Sequence, residues 1–182
     1  MEAKKMSTRK EVEGNMEPEK ISTHRQCTVE LENKLSEYSL SNPQVYTESG
    51  TCEDPLPPVL KPSESGSALF KKTPHAACGA VGVFMYELLH VPTNEKKGKI
   101  GVLYSNPYDF VLYSNWHGVG VFDMDKSCDY ALYDLMYNGE EKGFVRGKAS
   151  GHDLTYSHLD IKIKASMSDE YQPVIKIQFL NN

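Results

Sequence analysis

Residues 78–89 read CGAVGVFMYELL, and this near-continuous apolar run decides the fold class. It mixes small residues with Val, Phe and Met, and Glu87 is its only charged member. Apolar runs of this length and composition are typical of a strand that is buried on both faces. We therefore predict a central strand over this segment.

Shorter segments on both sides of this run also have strand character. Period-two alternation is clearest near the C-terminus, where residues 159–167 and 173–180 place isoleucines between lysines and other polar residues. Further strands are predicted over residues 27–33, 37–50 (with turn signals), 67–70, 99–105 and 118–124. Many short strands separated by turns predict a mainly β fold, an antiparallel β-sandwich flanked by one or two short helices.

Two segments interrupt the strand pattern. Residues 53–66 hold four of the ten prolines and are predicted to be an extended loop. Residues 129–139, DYALYDLMYNG, predict a helix with Asp129 as N-cap and Asn138-Gly139 as the stop. On that helix one stripe is aliphatic and an adjacent stripe consists of Tyr130, Tyr133 and Tyr137.

Composition and charge limit the domain organisation and the partners. Residues 1–20 carry five Lys/Arg and five Glu without an apolar stripe, so we predict a charged tail, disordered or loosely helical, over residues 1–24 and a sandwich domain over residues 25–182. A net charge of -5 and a pI near 5.7 argue against nucleic acid as a partner. No apolar run reaches the length of a membrane span, and no secretory signal is visible.

The sequence offers little for metal or covalent chemistry. The four cysteines are irregularly spaced without a CxxC pair and give no set of four zinc ligands. Four cysteines permit three pairings, but because no secretory signal is visible we favour free thiols. The GxSxG, P-loop and HExxH motifs are also missing. We therefore expect neither a metal nor a cofactor, and no enzymatic activity.

Aromatic residues concentrate in residues 104–137, which contain nine of the eighteen in the chain. Within this region the stretch NPYDFVLYSNWHG, residues 106–118, mixes rings with turn-forming residues. Packed core is one interpretation. A surface for a zwitterionic headgroup is the other, because tyrosine rings attract quaternary ammonium groups and the hydroxyls of Ser105, Tyr133 and Tyr137 could bind a phosphate.

The segments VLYSNPYDFVLYSNWHGVGVF, ALYDLMYNG and CGAVGVFMY together resemble the actinoporins, pore-forming cytolysins of sea anemones. The resemblance is closer still to the actinoporin-like proteins of other animals, fishes included. It covers roughly residues 25–180 and implies a β-sandwich with two flanking helices. It also implies binding to phosphatidylcholine and sphingomyelin membranes through the phosphocholine headgroup.

The resemblance assigns site residues by motif. The residues that it implies for phosphocholine binding are Ser49, Val81, Ser105, Pro107, Tyr113, Tyr133 and Tyr137. Those implied to contact the membrane are Tyr108, Leu112 and Trp116. The chain departs from the family at Asn138 and His117, where a tyrosine and a second tryptophan are common, and in having Arg146-Gly147-Lys148 for the family's Arg-Gly-Asp.

The resemblance implies a secreted cytolysin, haemolytic and toxin-like, stored in the nematocyst in venomous members. On the target cell membrane it would form homo-oligomers that open a cation-permeable pore. The polar N-terminal segment, with Gly14 and Pro18, argues for membrane docking more than for insertion. Without a visible signal a cytosolic form stays open, and a non-lytic membrane-binding or lectin-like, glycan-binding module is the alternative function.

Overall fold

The computed structural model describes residues 24–182, which form two facing six-stranded sheets and one helix. The predicted mainly β sandwich is thus confirmed. The N-terminal tail prediction, apart from His24, lies outside the described residues. Within residues 24–182 the model has a single α-helix, and no helix there combines the length and the apolar character that a membrane span requires.

Sheet I contains the first and last strands of the described residues and has the strand order β10-β11-β12-β1-β5-β3. Period-two alternation holds as predicted in β11 and β12, where the isoleucines face the core and the lysines face outward. The strands are β1 (Gln26–Lys34), β3 (Thr51–Asp54), β5 (Ser65–Lys71), β10 (Leu154–His158), β11 (Ile161–Met167) and β12 (Val174–Asn181).

Sheet II has the order β4-β2-β6-β7-β8-β9 and carries the helix α1 (Tyr130–Asn138) on its outer face. Its strands are β2 (Tyr38–Ser49), β4 (Val59–Leu60), β6 (Ala80–His90), β7 (Glu95–Asn106), β8 (Trp116–Phe122) and β9 (Phe144–Lys148).

The central strand β6 is buried on both faces, as its composition predicted. Phe84 and Tyr86 face sheet I in the main core, whereas Val83 and Met85 pack with Leu132 and Met136 of α1 on the opposite face. A ring on the same face also explains a glycine: a Cβ at residue 101 would lie 2.6 Å from the ring of Phe122, the last residue of β8.

Three details of the strand prediction were wrong. β1 and β12 pair in parallel, whereas an antiparallel sandwich was predicted. The alternation of apolar and polar residues indicates a strand but not the direction in which it runs. The supposed loop 53–66 contains β4 and parts of β3 and β5. The strands β9 and β10 were missed, because β9 contains Gly147 and only its first residue is buried, and both are five residues long.

β2 is one twelve-residue strand with two irregularities in its pairing to β6. The first lies between Ser41 and Gln44, where the Asn-Pro turn signal occurs. The second lies between Thr47 and Ser49, where Glu48 is an extra residue. A bulge of this kind changes which face the following side chain occupies.

Candidate headgroup-binding surface

Four predicted site residues lie side by side in one row across sheet II. The register pairs Ser49 with Val81, Val81 with Ser105, and Ser105 with Trp116. Paired residues of neighbouring strands point to the same face. The packing of Val83 and Leu103 against the helix identifies this as the outer face, the one that carries α1.

The members of this row differ in exposure. Ser105 is 2% exposed and Val81 is 9% exposed, and Pro107, one residue beyond β7, is also buried. Ser49 and Trp116 are half-buried. A headgroup would therefore contact Ser105 and Pro107 only at their exposed edges, between the more accessible residues around them.

Four tyrosines of α1 and β2 form a connected group that we call the tyrosine cluster: Tyr46, Tyr130, Tyr133 and Tyr137. Ring centroids lie 5.7 Å apart for Tyr133 and Tyr137, and 6.4 Å apart for Tyr46 and Tyr133. Tyr130 completes the group at 6.1 Å from Tyr133. Because Tyr46 pairs with Val83, the cluster lies two residues, about 7 Å, along the strands from the row.

Local signals on α1 position these rings. The Asp129 carboxylate accepts a hydrogen bond from the Leu132 backbone N–H at 3.0 Å, which confirms the predicted N-cap. Leu132 and Met136 are buried against sheet II, so the tyrosines on the adjacent stripe lie at the margin of the contact. The tyrosine stripe is therefore neither wholly core nor wholly solvated.

Electrostatics at the cluster suit a cation. Burial raises the pKa of Tyr133 to about 12, so its hydroxyl stays a neutral donor at physiological pH. Tyr46 donates a hydrogen bond to the Glu48 carboxylate at 2.7 Å, and this bond raises the pKa of the Tyr46 phenol. The cluster thus combines ring faces with a nearby carboxylate, both of which attract a quaternary ammonium group.

The tip loop, residues 107–115, follows directly from the row. Its apex is the most exposed apolar surface of the described chain: Val111 is 94% exposed and Leu112 is 72% exposed. The Asp109 side chain accepts from the Val111 N–H at 2.9 Å and so fixes the turn. Tyr113 is 55% exposed on this loop. Burial raises the pKa of Tyr137, and the neighbouring Tyr113 hydroxyl raises it further.

Arg25 anchors the base of the tip loop. Its guanidinium donates to the carbonyl oxygens of Pro107 at 3.1 Å and Tyr108 at 2.9 Å. It also lies over three aromatic rings, with distances to the centroids of 4.7 Å for Phe110, 5.0 Å for Tyr171 and 5.7 Å for Tyr108. Arg25 is 3% exposed, so these contacts hold the loop without facing solvent.

A buried amide pair fixes the other end of the loop. Asn106 donates to Asn115 at 3.0 Å, and Asn115 donates to the Glu170 carbonyl oxygen at 2.7 Å. The second bond reaches the segment between β11 and β12, so the tip loop is held to both sheets. Its apex therefore projects from a rigid base.

The three residues predicted to contact the membrane differ in position and in exposure. Leu112 is at the apex, whereas Trp116 begins β8 and is half-buried beneath the Lys148 ammonium group, 5.8 Å from its ring. Tyr108 is half-buried beside Arg25. Val111 is the more exposed apex residue, and it was not predicted, although its place beside Leu112 in the sequence was a usable signal.

Sequence reasoning also missed Tyr46, Glu48 and Arg25. Tyr46 and Glu48 lie more than eighty residues before the helix that they adjoin, and no local pattern links them to it. Arg25 follows a charged segment, so the sequence does not distinguish it from the charged residues of that segment. The side-chain amide of Asn138 donates a hydrogen bond to the Asp134 carboxylate at 2.9 Å. Asn138 therefore adds no aromatic ring to the tyrosine cluster.

His117 lies on the inner face of β8 and is 1% exposed. Burial lowers its pKa to about 4, so the folded protein holds it neutral, whereas the unfolded chain titrates near the ordinary 6.5. The contribution of neutral His117 to the free energy of unfolding is therefore complete above pH 6.5 and is lost as the pH falls toward 4.

Between pH 7 and pH 5 we expect the free energy of unfolding to fall by about 2 kcal/mol more in the wild type than in His117→Gln. Urea denaturation at each pH measures this difference. Equal pH dependence of the two proteins would contradict the lowered pKa of His117.

Comparisons with known proteins identify the family of the chain. The family model described as sea anemone cytotoxic protein matches residues 15–180. The chain is 31% identical over 105 residues to bryoporin of Physcomitrium patens, covering 58% of this chain and 56% of bryoporin. It is 30% identical over 135 residues to DELTA-stichotoxin-Hcr4b of Radianthus crispa, covering 73% and 70%.

Solved structures support the fold. The lipid binding protein Nakanori superposes with a TM-score of 0.64 at 12% identity, over 86% of this chain and 71% of Nakanori. A mutated Xerocomus chrysenteron lectin XCL gives 0.53 at 12% identity, over 86% and 97%. At such identities the likeness shows the fold alone.

The family-model match covers more than half of the chain and therefore decides its class. The chain belongs to the actinoporins, the sea anemone cytotoxic protein family, which is a family of pore-forming cytolysins and not of enzymes.

Proposed function

We propose that this protein docks on membranes by binding phosphocholine headgroups of phosphatidylcholine and sphingomyelin. The observation that carries this proposal is the junction of the tyrosine cluster, the cross-strand row and the tip loop on one end of sheet II. The cluster and Glu48 would hold the trimethylammonium group. The hydroxyls of Ser105 and Tyr133 would face the phosphate.

The exposed apex would enter the interface next to the bound headgroup. Val111 and Leu112 are apolar and solvent-exposed, and burying such side chains favours transfer out of water. Because Arg25 and the Asn106–Asn115 pair hold the loop at its base, little conformational freedom is lost on docking.

Assembly on the membrane into a cation-permeable pore is the second part of the proposal. Family membership supports it, and it also supports the proposal of a secreted form that acts on target cell membranes. The polar sequence of residues 1–20 leaves non-lytic docking as a distinct outcome of the test below.

Replacing Tyr113 and Tyr133 together by alanine should reduce retention on vesicles of phosphatidylcholine and sphingomyelin at least tenfold. Each ring face lost removes roughly 0.5–2 kcal/mol of attraction for the cation. Co-sedimentation measures binding, and thermal unfolding verifies that the variant folds.

The matched control is the double phenylalanine variant, which keeps both rings and removes both hydroxyls. It should retain most of the binding if the rings hold the cation. Unchanged binding of the alanine variant would refute the site. Release of an encapsulated dye separates a pore from docking alone, and a glycan array with sugar binding but no lipid binding would favour the lectin-like alternative.

A further inference from the structure

The cross-strand row continues one strand further, to a basic residue. Trp116 pairs with Lys148 of β9, and Lys148 therefore shares the outer face with Ser49, Val81 and Ser105. Its exposed side chain places the ammonium group 5.8 Å from the Trp116 ring centroid. This contact holds the charge at the same end of the sheet as the headgroup surface.

Arg146 is a second cation on the same face, two residues earlier on β9. Its guanidinium donates to the Met136 carbonyl oxygen at 3.2 Å, at the end of α1 and next to Tyr137. The guanidinium also lies over the Phe144 ring at 5.8 Å. These contacts use only part of its donor set, so other N–H groups remain for a ligand.

Neither cation is neutralised by an ion pair. Within residues 24–182 no carboxylate lies within salt-bridge distance of Arg146 or Lys148. The nearest described acidic contact is Glu141, which accepts from the Arg146 backbone N–H and not from its guanidinium. Both positive charges are therefore available to an anionic ligand, on a chain whose net charge is -5.

We propose that Arg146 and Lys148 form an anionic-headgroup site for a phospholipid that neighbours the one in the tyrosine cluster. Lys148 is two strands away from Ser105, a separation of about 10 Å, which suits an adjacent headgroup more than the same one. The inference rests on the proposed function, because it takes this end of sheet II as the membrane-facing one.

The test compares vesicles of phosphatidylcholine and sphingomyelin with the same vesicles containing a minor fraction of phosphatidylserine. Phosphatidylserine should tighten binding of the wild type, by roughly fivefold for each basic residue at the surface. Lys148→Gln should lose about that factor on the anionic vesicles and bind the zwitterionic vesicles unchanged. High salt should abolish the gain.

Lys164→Gln is the matched control, because Lys164 is exposed on the outer face of sheet I and the substitution changes the net charge equally. It should keep the gain from phosphatidylserine. Arg146→Lys should keep most of it, whereas the double variant Arg146→Gln with Lys148→Gln should remove it. Thermal unfolding verifies that each variant folds.

The outcomes separate the two proposals. Equal gains in the wild type and Lys148→Gln, or no gain in the wild type, would overturn the anionic site and leave headgroup docking intact. Absence of wild-type binding to the zwitterionic vesicles would overturn the proposed function instead. Titration with inorganic phosphate is the third arm: chemical shift changes at Lys148 without any gain on anionic vesicles would assign the site to free phosphate and also overturn the inference.

Discussion

Replacing Val111 and Leu112 by aspartate should lower affinity for phosphatidylcholine and sphingomyelin vesicles about a hundredfold or more. Both side chains are at the apex of the tip loop and largely exposed. The variant loses two apolar contacts with the bilayer and adds two charges that resist desolvation. Co-sedimentation across a range of lipid concentrations measures the shift.

The fold should be unaffected by this change, because the Val111 and Leu112 side chains are largely exposed to solvent. Leu159→Asp is the matched control for Leu112→Asp alone, since Leu159 is 81% exposed on the β10–β11 turn and the change of leucine to aspartate is the same. Aspartate also tolerates the positive φ of 53° at that position. If the control loses affinity as strongly as the apex variant, the tip loop is not the docking element.

Arg25→Ala should destabilise the fold by about 4 kcal/mol. The substitution removes charge-assisted hydrogen bonds to the Pro107 and Tyr108 carbonyl oxygens and leaves those acceptors without their donor. It also removes the cation from its ring contacts with Phe110 and Tyr171. Urea denaturation followed by circular dichroism measures the loss.

Vesicle binding of Arg25→Ala should fall at temperatures where the variant is still folded, because the tip loop loses its anchor. Arg25→Lys keeps a charge but not the planar donor fork, so we expect an intermediate stability. A change below about 1 kcal/mol for the alanine variant would show that the loop is held by other contacts.

The main features of the fold were predictable from local patterns. Alternating isoleucines and lysines place β11 and β12 on a half-buried sheet, and the apolar run at residues 80–88 requires cover on both faces. Asp129 marks the helix start. These signals depend on neighbouring residues alone, and the parallel pairing of β1 with β12 does not, because it joins segments about 146 residues apart.

The candidate site was predictable in part for the same reason. Ser105, Pro107, Tyr113, Tyr133 and Tyr137 lie within one motif-rich region of the chain. Tyr46, Glu48 and Arg25 come from distant segments and enter the site only through sheet register and long-range hydrogen bonds. Exposure also required the structure, since the sequence could not place Trp116 half-buried and Val111 at the apex.

The geometry of the candidate site depends on the bulge in β2, because Glu48 is an extra residue in the pairing of β2 with β6. Tyr46 and Ser49 are three positions apart, so a regular strand would send their side chains to opposite sides of the sheet. The bulge pairs them with Val83 and Val81, which share one side. Pairing of β2 without this bulge would leave the packing of β6 unchanged, but it would place the Tyr46 ring and the Ser49 hydroxyl on opposite sides of the sheet. A variant that keeps Glu48 but loses the bulge should therefore keep the sandwich and lose the arrangement that we propose for headgroup binding.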